Sequence, residues 1–532
     1  MASNSGQRFD KLTAPSSIEG LSRREFLGKT TQFAAGAIAA GMLTSCAPST
    51  TLKAGRPAAV ATKAGVIGAN DRINIAIIGV RGRGMNQAEG FARIPNVKIK
   101  TLCDIDANLF AERVKKIDGI QHFAPATEKD LRRVFEDKDI DAVTVALPNH
   151  WHALAMIWAC QAGKHVFVEK PCSHNIREGR RMVEAASRYG RIVQCGFQNR
   201  SLNNVQQAIK FLHDGGIGEV YMARGLCFKA RDPIGKVPDG IGTGPEYKYF
   251  VWNNPGVNYD ADYMGRVDYD MWLGPAPKRP FNYNRFHYNW HWNWDYGNGD
   301  IGNQGPHQFD IARWGLNKNE HPVKVSSLGG YFGPESDQQT PNTQLATFEY
   351  ADGKIMQFDV RGIYTNDEAA IFDAIKKSET VAADPNAAPK IVEELTKRQD
   401  GITVGNLFYG TKGWMYLNDT VWKTYFGRKN EPGPCSEALE ESANPNDPVG
   451  SGSQGHFVNF IAALRSGKKE DLNCNIEEGF MSTALPHLAN ISYRLGRTIV
   501  FDGKNEKFVA DNQADKMLTR DYRRPYAVPD RV

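Results

Sequence analysis

The sequence lacks the extremes of composition that mark several classes of protein. It has no basic run, and its 65 basic and 60 acidic residues are spread over 532 positions, so no nucleic-acid surface is expected. Its eight cysteines include no CxxC pair, so neither a metal site nor a disulfide framework is expected. No apolar stretch is long enough to span a bilayer as a mature helix. With 41% hydrophobic residues, the chain predicts a globular protein, and its length favours about two domains.

The N-terminus resembles an export signal. Arg23 and Arg24 form a twin-arginine pair, and a weakly hydrophobic stretch without charge runs from Thr30 to Leu43. This pattern resembles a Tat signal, which exports folded proteins. We therefore expect residues 1–45 to be a signal peptide and the mature protein to be periplasmic. An ordinary N-terminal helix is the alternative, but it leaves the arginine pair unexplained.

A lipid anchor is predicted directly after this signal. Cys46 follows Leu-Thr-Ser, which resembles a bacterial lipobox, where cleavage leaves the cysteine as the lipid-bearing first residue. Residues 46–70 contain Ala, Pro, Thr and Gly but no acidic residue, as expected of a flexible tether. The sequence thus predicts a membrane tether through Cys46.

A glycine cluster follows a predicted strand and precedes a predicted helix. The strand Arg72–Gly79 is rich in isoleucine, and a strand, tight turn and helix in this order are typical of dinucleotide-binding folds. Gly79 and Gly84 match the first and third glycines of GxGxxG, whereas Arg81 stands at the second and Gly82 comes one place later. Either Arg81 contacts a phosphate, or Gly82 allows the backbone to approach it closely.

An acidic residue follows the next predicted strand. Asp104 comes directly after Val97–Cys103, at the spacing expected of the carboxylate that binds the adenosine ribose. A carboxylate there favours NAD over NADP, because it would repel a 2′-phosphate. The alternative is that Asp104 caps a helix that begins near Asp106.

Other candidate ligand-binding residues follow two further predicted strands, Ala142–Leu147 and His165–Val168. Because strands alternate with helices, the sheet should be mostly parallel, and ligands bind at the carboxyl ends of such strands. The residues at these ends that we expect to contact the cofactor are Pro148, Asn149, His152, Glu169 and Lys170.

Together these features resemble the Gfo/Idh/MocA oxidoreductase family. The resemblance rests on the glycine turn, Asp104, the PNHWH stretch at 148–152, the EKP triplet at 169–171 and the histidine segment at 302–314. It implies an α/β protein with an N-terminal Rossmann domain, a doubly wound parallel sheet, at 71–197. A C-terminal α+β domain with a large open, mostly antiparallel sheet is expected at 198–520, followed by a surface tail at 521–532.

The resemblance also implies catalytic residues. Lys170 of the EKP triplet is expected beside the nicotinamide and the substrate hydroxyl, where it stabilises an alkoxide or relays its proton. His307 is a candidate general base. The family has an acid four residues before this histidine, on the same helix face, but here the position holds Asn303, which cannot take a proton. Asp310 is expected to orient His307 or to bind substrate.

Aromatic residues alternate with polar ones just before this segment. Trp290, Trp292 and Trp294 recur with period two, which predicts a strand with its rings on one face. Such rings can stack on a pyranose and bind carbohydrate, or they can pack a core. We expect one or two of them to reach the substrate.

The rest of the chain predicts supporting structure. Residues 228–285 should be a loop-rich insertion, and 368–400 a polar helical insertion. The predicted strands are Gln344–Tyr350, Lys354–Val360 and a segment around Gly410–Leu417; Phe457–Arg465 and Glu477–Leu495 are predicted helices that return to the first domain.

The expected function is oxidation of a sugar or glycoside hydroxyl with tightly bound, recycled NAD(H). A periplasmic enzyme needs this arrangement because no useful pool of free NAD surrounds it. One alternative is an NAD-dependent glycosidase or lyase that uses transient oxidation and elimination, and another is a non-catalytic glycan-binding lipoprotein. The resemblance further implies a homodimer or homotetramer.

Overall fold

The computed structural model describes residues 71–242, 259–363, 403–436 and 453–532. Cys46, the predicted signal and the predicted insertion at 368–400 lie outside these residues. None of the described helices is long and apolar enough to cross a membrane.

The first part of the chain forms a parallel sheet with helices on both faces. In the described residues the sheet has six strands in the order β3-β2-β1-β4-β5-β6. The strands are β1 (Ile73–Ile78), β2 (Val97–Cys103), β3 (Ala126–Glu128), β4 (Ala142–Val145), β5 (His165–Val168) and β6 (Val193–Cys195). The helices are α1 (Arg83–Ala92), α2 (Phe110–Gln121), α3 (Leu131–Glu136), α4 (Asn149–Gln161) and α5 (Ile176–Arg188). The predicted doubly wound fold is confirmed, and the strand order reverses between β1 and β4, where such folds bind ligands.

The continuous apolar run of β1 reflects burial on both faces of this sheet. Ile73, Ile75 and Ile77 pack in one core cluster, whereas Ala76 and Ile78 pack in the other. A parallel sheet covered by helices on both sides therefore needs an uninterrupted hydrophobic strand.

The second part forms an open mixed sheet. Among the described residues it has ten strands, in the order β14-β13-β12-β11-β7-β10-β9-β8-β15-β16, and only β7 and β10 pair in parallel. The strands are β7 (Val220–Phe228), β8 (Lys324–Gly330), β9 (Thr343–Glu349), β10 (Ile355–Arg361), β11 (Thr403–Gly410), β12 (Gly413–Leu417), β13 (Trp422–Phe426), β14 (Glu431–Cys435), β15 (Ile499–Asp502) and β16 (Lys507–Phe508). The prediction of a large, mostly antiparallel sheet is confirmed.

The helices of this part include the ones that carry the site. They are α6 (Asn203–His213), α7 (Ala261–Met264), α8 (Tyr269–Leu273), α9 (Gly299–Asn303), α10 (Gly305–Gly315), α11 (Ser453–Ser466), α12 (Ile476–Leu495) and α13 (Asn512–Asp515). In the described stretches of the 228–285 insertion, α7 and α8 are joined by irregular chain, as the prediction of loops anticipated.

Two late helices complete the core of the Rossmann part, as predicted. Phe457 of α11 packs against Phe91 and Phe167, with ring centroids 4.7 and 5.5 Å apart. Helix α12 approaches α5 so closely that a Cβ on Gly179 would lie 2.3 Å from the Phe480 ring.

Two predictions about the fold, one of a strand and one of an exposed tail, are wrong. The aromatic stretch around Trp290 is not a strand but contains a 3₁₀ turn, Asn289–Trp292, because local bonds compete with strand pairing: the Trp290 indole donates to the His287 carbonyl at 3.0 Å. The tail 521–532 is not simply a surface segment, because Tyr526 is buried with its ring 5.4 Å from that of Trp151.

Candidate functional site

The glycine turn between β1 and α1 is held by close backbone contacts. Gly79 has φ +86°, and a Cβ there would lie 2.5 Å from the Ala146 carbonyl oxygen. A Cβ on Gly84 would lie 1.6 Å from the Gly79 oxygen. By contrast, no described residue other than its chain neighbours lies within 4 Å of the Cβ position of Gly82. Gly79 and Gly84 are therefore required by the fold, whereas Gly82 leaves its backbone open to a ligand.

The two arginines of this turn have different surroundings. Arg81 donates to the Tyr259 hydroxyl at 2.7 Å and forms an ion pair with Asp106 at 3.6 Å. Arg83 Nε donates to Glu169 at 2.7 Å, while its buried Nη2 has no hydrogen-bond partner among the described residues. Arg83 therefore keeps one donor for a ligand at the turn.

Asp104 ties the end of β2 to the glycine turn. Its carboxylate accepts from the backbone N–H of Val80 at 2.8 Å and of Asp106 at 3.0 Å. Burial raises the pKa of Asp104 to about 6, although these two bonds oppose the shift. The capping alternative applies to its neighbour: Asp106, not Asp104, accepts from the Asn108 N–H at the start of the following 3₁₀ turn.

A buried polar cluster connects this end of the sheet to the 259–287 segment. Asp106 is fully buried and accepts from the Tyr263 hydroxyl at 2.5 Å and from His287 Nε2 at 3.0 Å. Burial opposes its ionisation, but the bonds from His287 and Tyr263 outweigh this and hold the pKa of Asp106 below its usual range. We call Arg81, Asp106, Tyr259, Tyr263 and His287 the Asp106 cluster; sequence reasoning missed it because its members are far apart in the chain.

Lys170 follows β5 and reaches the junction between α9 and α10. Its Nζ donates to the main-chain oxygen of Asn303 at 2.8 Å and lies 3.4 Å from Asn303 Oδ1. The junction exposes that carbonyl because the His307 N–H bonds to the Gln304 oxygen instead, at 3.2 Å. Asn303 and His307 therefore lie in two separate helices. The prediction that they share one face of a continuous helix is wrong.

The surroundings of Lys170 lower the pKa of its amine. Burial lowers its pKa to about 8; Glu169 opposes this shift, and Arg83, Lys229 and Arg231 reinforce it.

His307 follows Asn303, which binds Lys170, by four residues and lies in α10. Burial, followed by the charge of Lys170, holds the pKa of His307 well below its usual range, so its imidazole is neutral at pH 7. Within the part of the chain that the structure describes, its buried Nδ1 has no hydrogen-bond partner.

Four of the residues that were predicted to contact the cofactor have structural positions near the ends of β4 and β5. Glu169 accepts from Arg83 and from Gln87 at 2.9 Å, which joins α1 to the end of β5. Both nitrogens of His152 face carbonyls, of Pro171 at 2.8 Å and of Leu147 at 2.6 Å. Pro148 caps α4, which begins at the buried Asn149. These residues hold the ends of β4 and β5 together around the space beside Lys170, which we call the crevice.

The three tryptophans have separate environments. Trp290 is buried and stacks on His291 at 3.6 Å, and Trp294 lies under Arg494 at 5.0 Å. Trp292 alone of the three lines a cavity of ≈ 280 Å³ together with Arg231 and Asp300. Asp300 and Asn303 belong to the same short helix, so α9 connects the cavity with Lys170.

Asp310 does not reach His307 by a hydrogen bond. It is buried and accepts from Arg200 Nε and Nη2 at 2.8 and 2.9 Å, and from Ser482 at 2.6 Å. All of these contacts lie inside the protein, so the geometry gives Asp310 a structural place rather than the substrate contact that had been predicted.

Sequence reasoning also missed a group of charged residues beside the crevice. Arg231 Nε donates to Asp300 at 2.8 Å, and Lys229 Nζ donates to Gln304 Oε1 at 2.8 Å. The signal was present as two basic residues two positions apart, directly after a strand, but nothing local showed that they face α9 and α10.

These features fit a dinucleotide at the carboxyl ends of β1, β4 and β5. The open space at Gly82 allows close approach of a pyrophosphate, and the unpartnered Nη2 of Arg83 can donate to it. Asp104 lies where the ribose hydroxyls are bound in such folds.

Two family models match most of the chain. The model of the oxidoreductase family with an NAD-binding Rossmann fold matches residues 73–197. The model of its C-terminal alpha/beta domain matches residues 236–378 and 439–528.

Similar curated proteins match only in part. A glycosyl hydrolase family 109 protein from Shewanella pealeana is 34% identical over 175 residues, which are 32% of this chain and 37% of that protein. The levoglucosan dehydrogenase of Pseudarthrobacter phenanthrenivorans is 28% identical over 161 residues, 29% of this chain and 40% of that protein. The chain thus spans about two fifths of the length of these relatives.

Solved structures share the fold over a greater length. Levoglucosan dehydrogenase in complex with NADH has a TM-score of 0.55 at 16% identity, covering 80% of this chain and 98% of that one. The aldose-aldose oxidoreductase of Caulobacter crescentus, complexed with glycerol, has a TM-score of 0.54 at 16% identity, covering 81% and 100%. The family models, the glycine turn and the crevice around Lys170 agree: the chain belongs to the Gfo/Idh/MocA family of oxidoreductases and carries its NAD-binding Rossmann domain.

Proposed function

We propose that the protein oxidises a hydroxyl group of a sugar or glycoside with a retained NAD. The observation that carries this proposal is the position of Lys170, whose amine follows β5 and binds the main-chain oxygen of Asn303, four residues before His307. Bound NAD supplies a hydride acceptor at this place. Relatives named levoglucosan dehydrogenase and aldose-aldose oxidoreductase support carbohydrate as the substrate class.

Lys170 is the proton acceptor in this reaction. As the C–H hydrogen leaves as hydride, the hydroxyl proton passes to the neutral Lys170 amine, and the carbon becomes a ketone carbonyl. The Asn303 carbonyl aims the amine, and the neutral His307 hydrogen-bonds the same hydroxyl. A base with a pKa near the working pH is suited to this task.

The Asp106 cluster supports tight retention of the cofactor. It connects the glycine turn and the end of β2 to the 259–287 segment through buried, charge-assisted bonds. Release of a nucleotide past this segment requires the bonds to break. A nucleotide held in this way would need a second substrate that enters the same site to reoxidise it.

Denaturation of the purified protein tests this proposal directly. We expect NAD(H) to be released, identified by mass and absorbance, in nearly one equivalent per chain. The Lys170→Met variant should release the same nucleotide and still bind sugar, but lose turnover. Absence of nucleotide, or full turnover by the variant, would refute the proposal. A glycan-binding protein without catalysis would show sugar binding and no turnover in both proteins.

A second candidate is redox-neutral cleavage of a glycoside. Several relatives are named glycosyl hydrolase family 109 proteins, which favours this chemistry. Transient oxidation acidifies the carbon beside the ketone, and the glycosidic substituent is eliminated as an alcohol. Water then adds to the double bond that this leaves, and the hydride returns to the ketone. Free glycone formed without net NADH or ketose identifies this reaction.

Export and lipidation are proposed for the N-terminal residues. The twin-arginine pair and Cys46 support a Tat-exported, lipid-anchored periplasmic protein. Labelling with radioactive palmitate should be lost in Cys46→Ser, whereas Arg23→Lys with Arg24→Lys should stop export.

A homo-oligomer is proposed through the open sheet. Leu328 and Leu345 are cross-strand neighbours on β8 and β9, and their side chains are 70% and 39% exposed. Light scattering should give twice or four times the chain mass, and Leu328→Glu should lower it.

A further inference from the structure

Two basic residues follow β7 and face the helices that carry the reacting groups. Arg231 binds Asp300 of α9, and Lys229 binds Gln304 at the junction of α9 and α10. Asn303, the residue before Gln304, holds Lys170. The amines of Lys229 and Lys170 therefore bind two neighbouring residues, Gln304 and Asn303, at the junction of α9 and α10.

The charges around this segment do not balance. Glu169 pairs with Arg83, and Asp300 pairs with Arg231. Lys229 is partly buried, and among the described residues no carboxylate forms an ion pair with it. Its only hydrogen bond within that part of the chain goes to the neutral oxygen of Gln304. Burial lowers the pKa of Lys229, although the charge of Asp300 opposes this shift without forming an ion pair with it. An anionic group of a ligand would stabilise this partly desolvated ammonium.

Lys229 also acts on both proposed reacting groups. Lys229 binds Gln304, and the residue before it, Asn303, holds Lys170, so the two amines lie at adjacent positions of the chain. In keeping with this geometry, the charge of Lys229 helps to lower the pKa of Lys170 and of His307, after the effect of burial. Lys170 is neutral when it accepts a proton. One positive charge, that of Lys229, therefore remains for the substrate.

We infer that Lys229 binds a singly charged anionic group of the substrate, which is therefore an acidic sugar rather than a neutral one. The group is a carboxylate, as in a uronic acid, or a sulfate ester; both carry one negative charge and accept from an ammonium. This inference rests on the proposed oxidation at Lys170, because it places the anionic group near the oxidised carbon. A phosphate dianion exceeds the one available charge.

Equilibrium binding to the full chain tests the inference without turnover. Titration calorimetry compares glucose with glucuronate, galactose with galacturonate, and glucose with its 6-sulfate and 6-phosphate. We expect at least one carboxylated or sulfated sugar to bind about tenfold or more tightly than its neutral partner, the ratio that one charged hydrogen bond provides. The preferred member of the set distinguishes carboxylate from sulfate, and this preference should shrink with added salt.

Variants assign the effect to Lys229. Lys229→Met should remove the preference, chiefly by weakening the binding of the acidic sugar, and Lys229→Arg should keep most of it. Lys210→Met, at an exposed lysine paired with Asp214, is the matched control and should behave as wild type. Equal binding of neutral and acidic sugars by wild type, an unchanged preference in Lys229→Met, or no binding of any sugar would overturn the inference.

The two proposals fail in different ways. If no sugar reduces the bound nucleotide but the acidic preference persists and depends on Lys229, only the oxidation is refuted. If neutral sugars are oxidised and Lys229→Met changes nothing, only the anion site is refuted.

Discussion

The Lys170 amine is held by the main-chain oxygen of Asn303, at 2.8 Å, rather than by an acidic side chain. Pro306 lacks an N–H, and the His307 N–H turns to Gln304, so the helix opens where this carbonyl is needed. The asparagine that departs from the family pattern thus keeps an acceptor for the lysine, because every residue type has a backbone carbonyl.

The Asn303→Ala variant should therefore lose much less activity than a Lys170 variant. The main-chain acceptor survives, and only the 3.4 Å contact with Oδ1 is lost. We expect kcat to fall less than about tenfold, far below the roughly 10²- to 10⁴-fold typical of a lost acid–base group. Steady-state kinetics measure this, with Lys170→Met as the reference for full loss; equal losses would contradict the assigned anchor.

The rate of sugar oxidation should rise with pH through about 8. The pKa of Lys170 is lowered to about 8, and its neutral form is the proton acceptor, so the active fraction falls about tenfold per pH unit below that value. Lys170→Arg, charged at all pH values used, should be slow and lack this ionisation. A wild-type rate that falls above pH 8 would instead make the ammonium the active form.

Alanine at two glycines should separate folding from cofactor binding. Gly84→Ala places a Cβ 1.6 Å from the Gly79 oxygen and should lower Tm and yield. Gly82→Ala meets no protein atom within 4 Å and should fold, yet contain less NAD because its methyl group enters the ligand's space. Circular dichroism and nucleotide content measure the two effects; full NAD occupancy in Gly82→Ala would place the pyrophosphate elsewhere.

Tyr263→Phe should loosen the cofactor. It removes the hydroxyl bond to the buried Asp106 carboxylate, a charged-acceptor bond of about 1.5 to 3 kcal/mol. We expect NAD release on repeated ultrafiltration to be roughly tenfold faster or more. The control is Tyr269→Phe, on the same segment, whose hydroxyl bonds the Pro280 carbonyl. Identical release from both variants would refute the proposed retention.

Asp310→Asn should act on stability more than on substrate affinity. The change removes a buried charge that Arg200 faces with two bonds, and breaking such a pair costs about 3 to 5 kcal/mol of unfolding free energy. Asp214→Asn, in an exposed pair with Lys210, should cost less than about 1 kcal/mol. Urea unfolding measures both. A stable Asp310→Asn protein with a raised KM would instead support the prediction that Asp310 contacts the substrate.

Local patterns predicted the parts of the molecule that local forces determine. The strand His165–Val168 has the predicted bounds, because its buried apolar run is flanked by a glycine turn and a proline. The Asp106 cluster could not be predicted, since its bonds join residues 157 and 181 positions apart. The tryptophan stretch was wrongly predicted to be a strand. Alternation of aromatic and polar residues also occurs in a turn whose rings each pack against a different partner.

The packing of Phe457 on Phe91 and Phe167 has a consequence for synthesis of the chain. A nascent polypeptide that has left the ribosome only as far as the first sheet would expose both of these rings to water. N-terminal domains commonly finish folding while the rest is still being made. Here the core of the nucleotide-binding half is completed only after α11 has been made, well after the six strands of its own sheet.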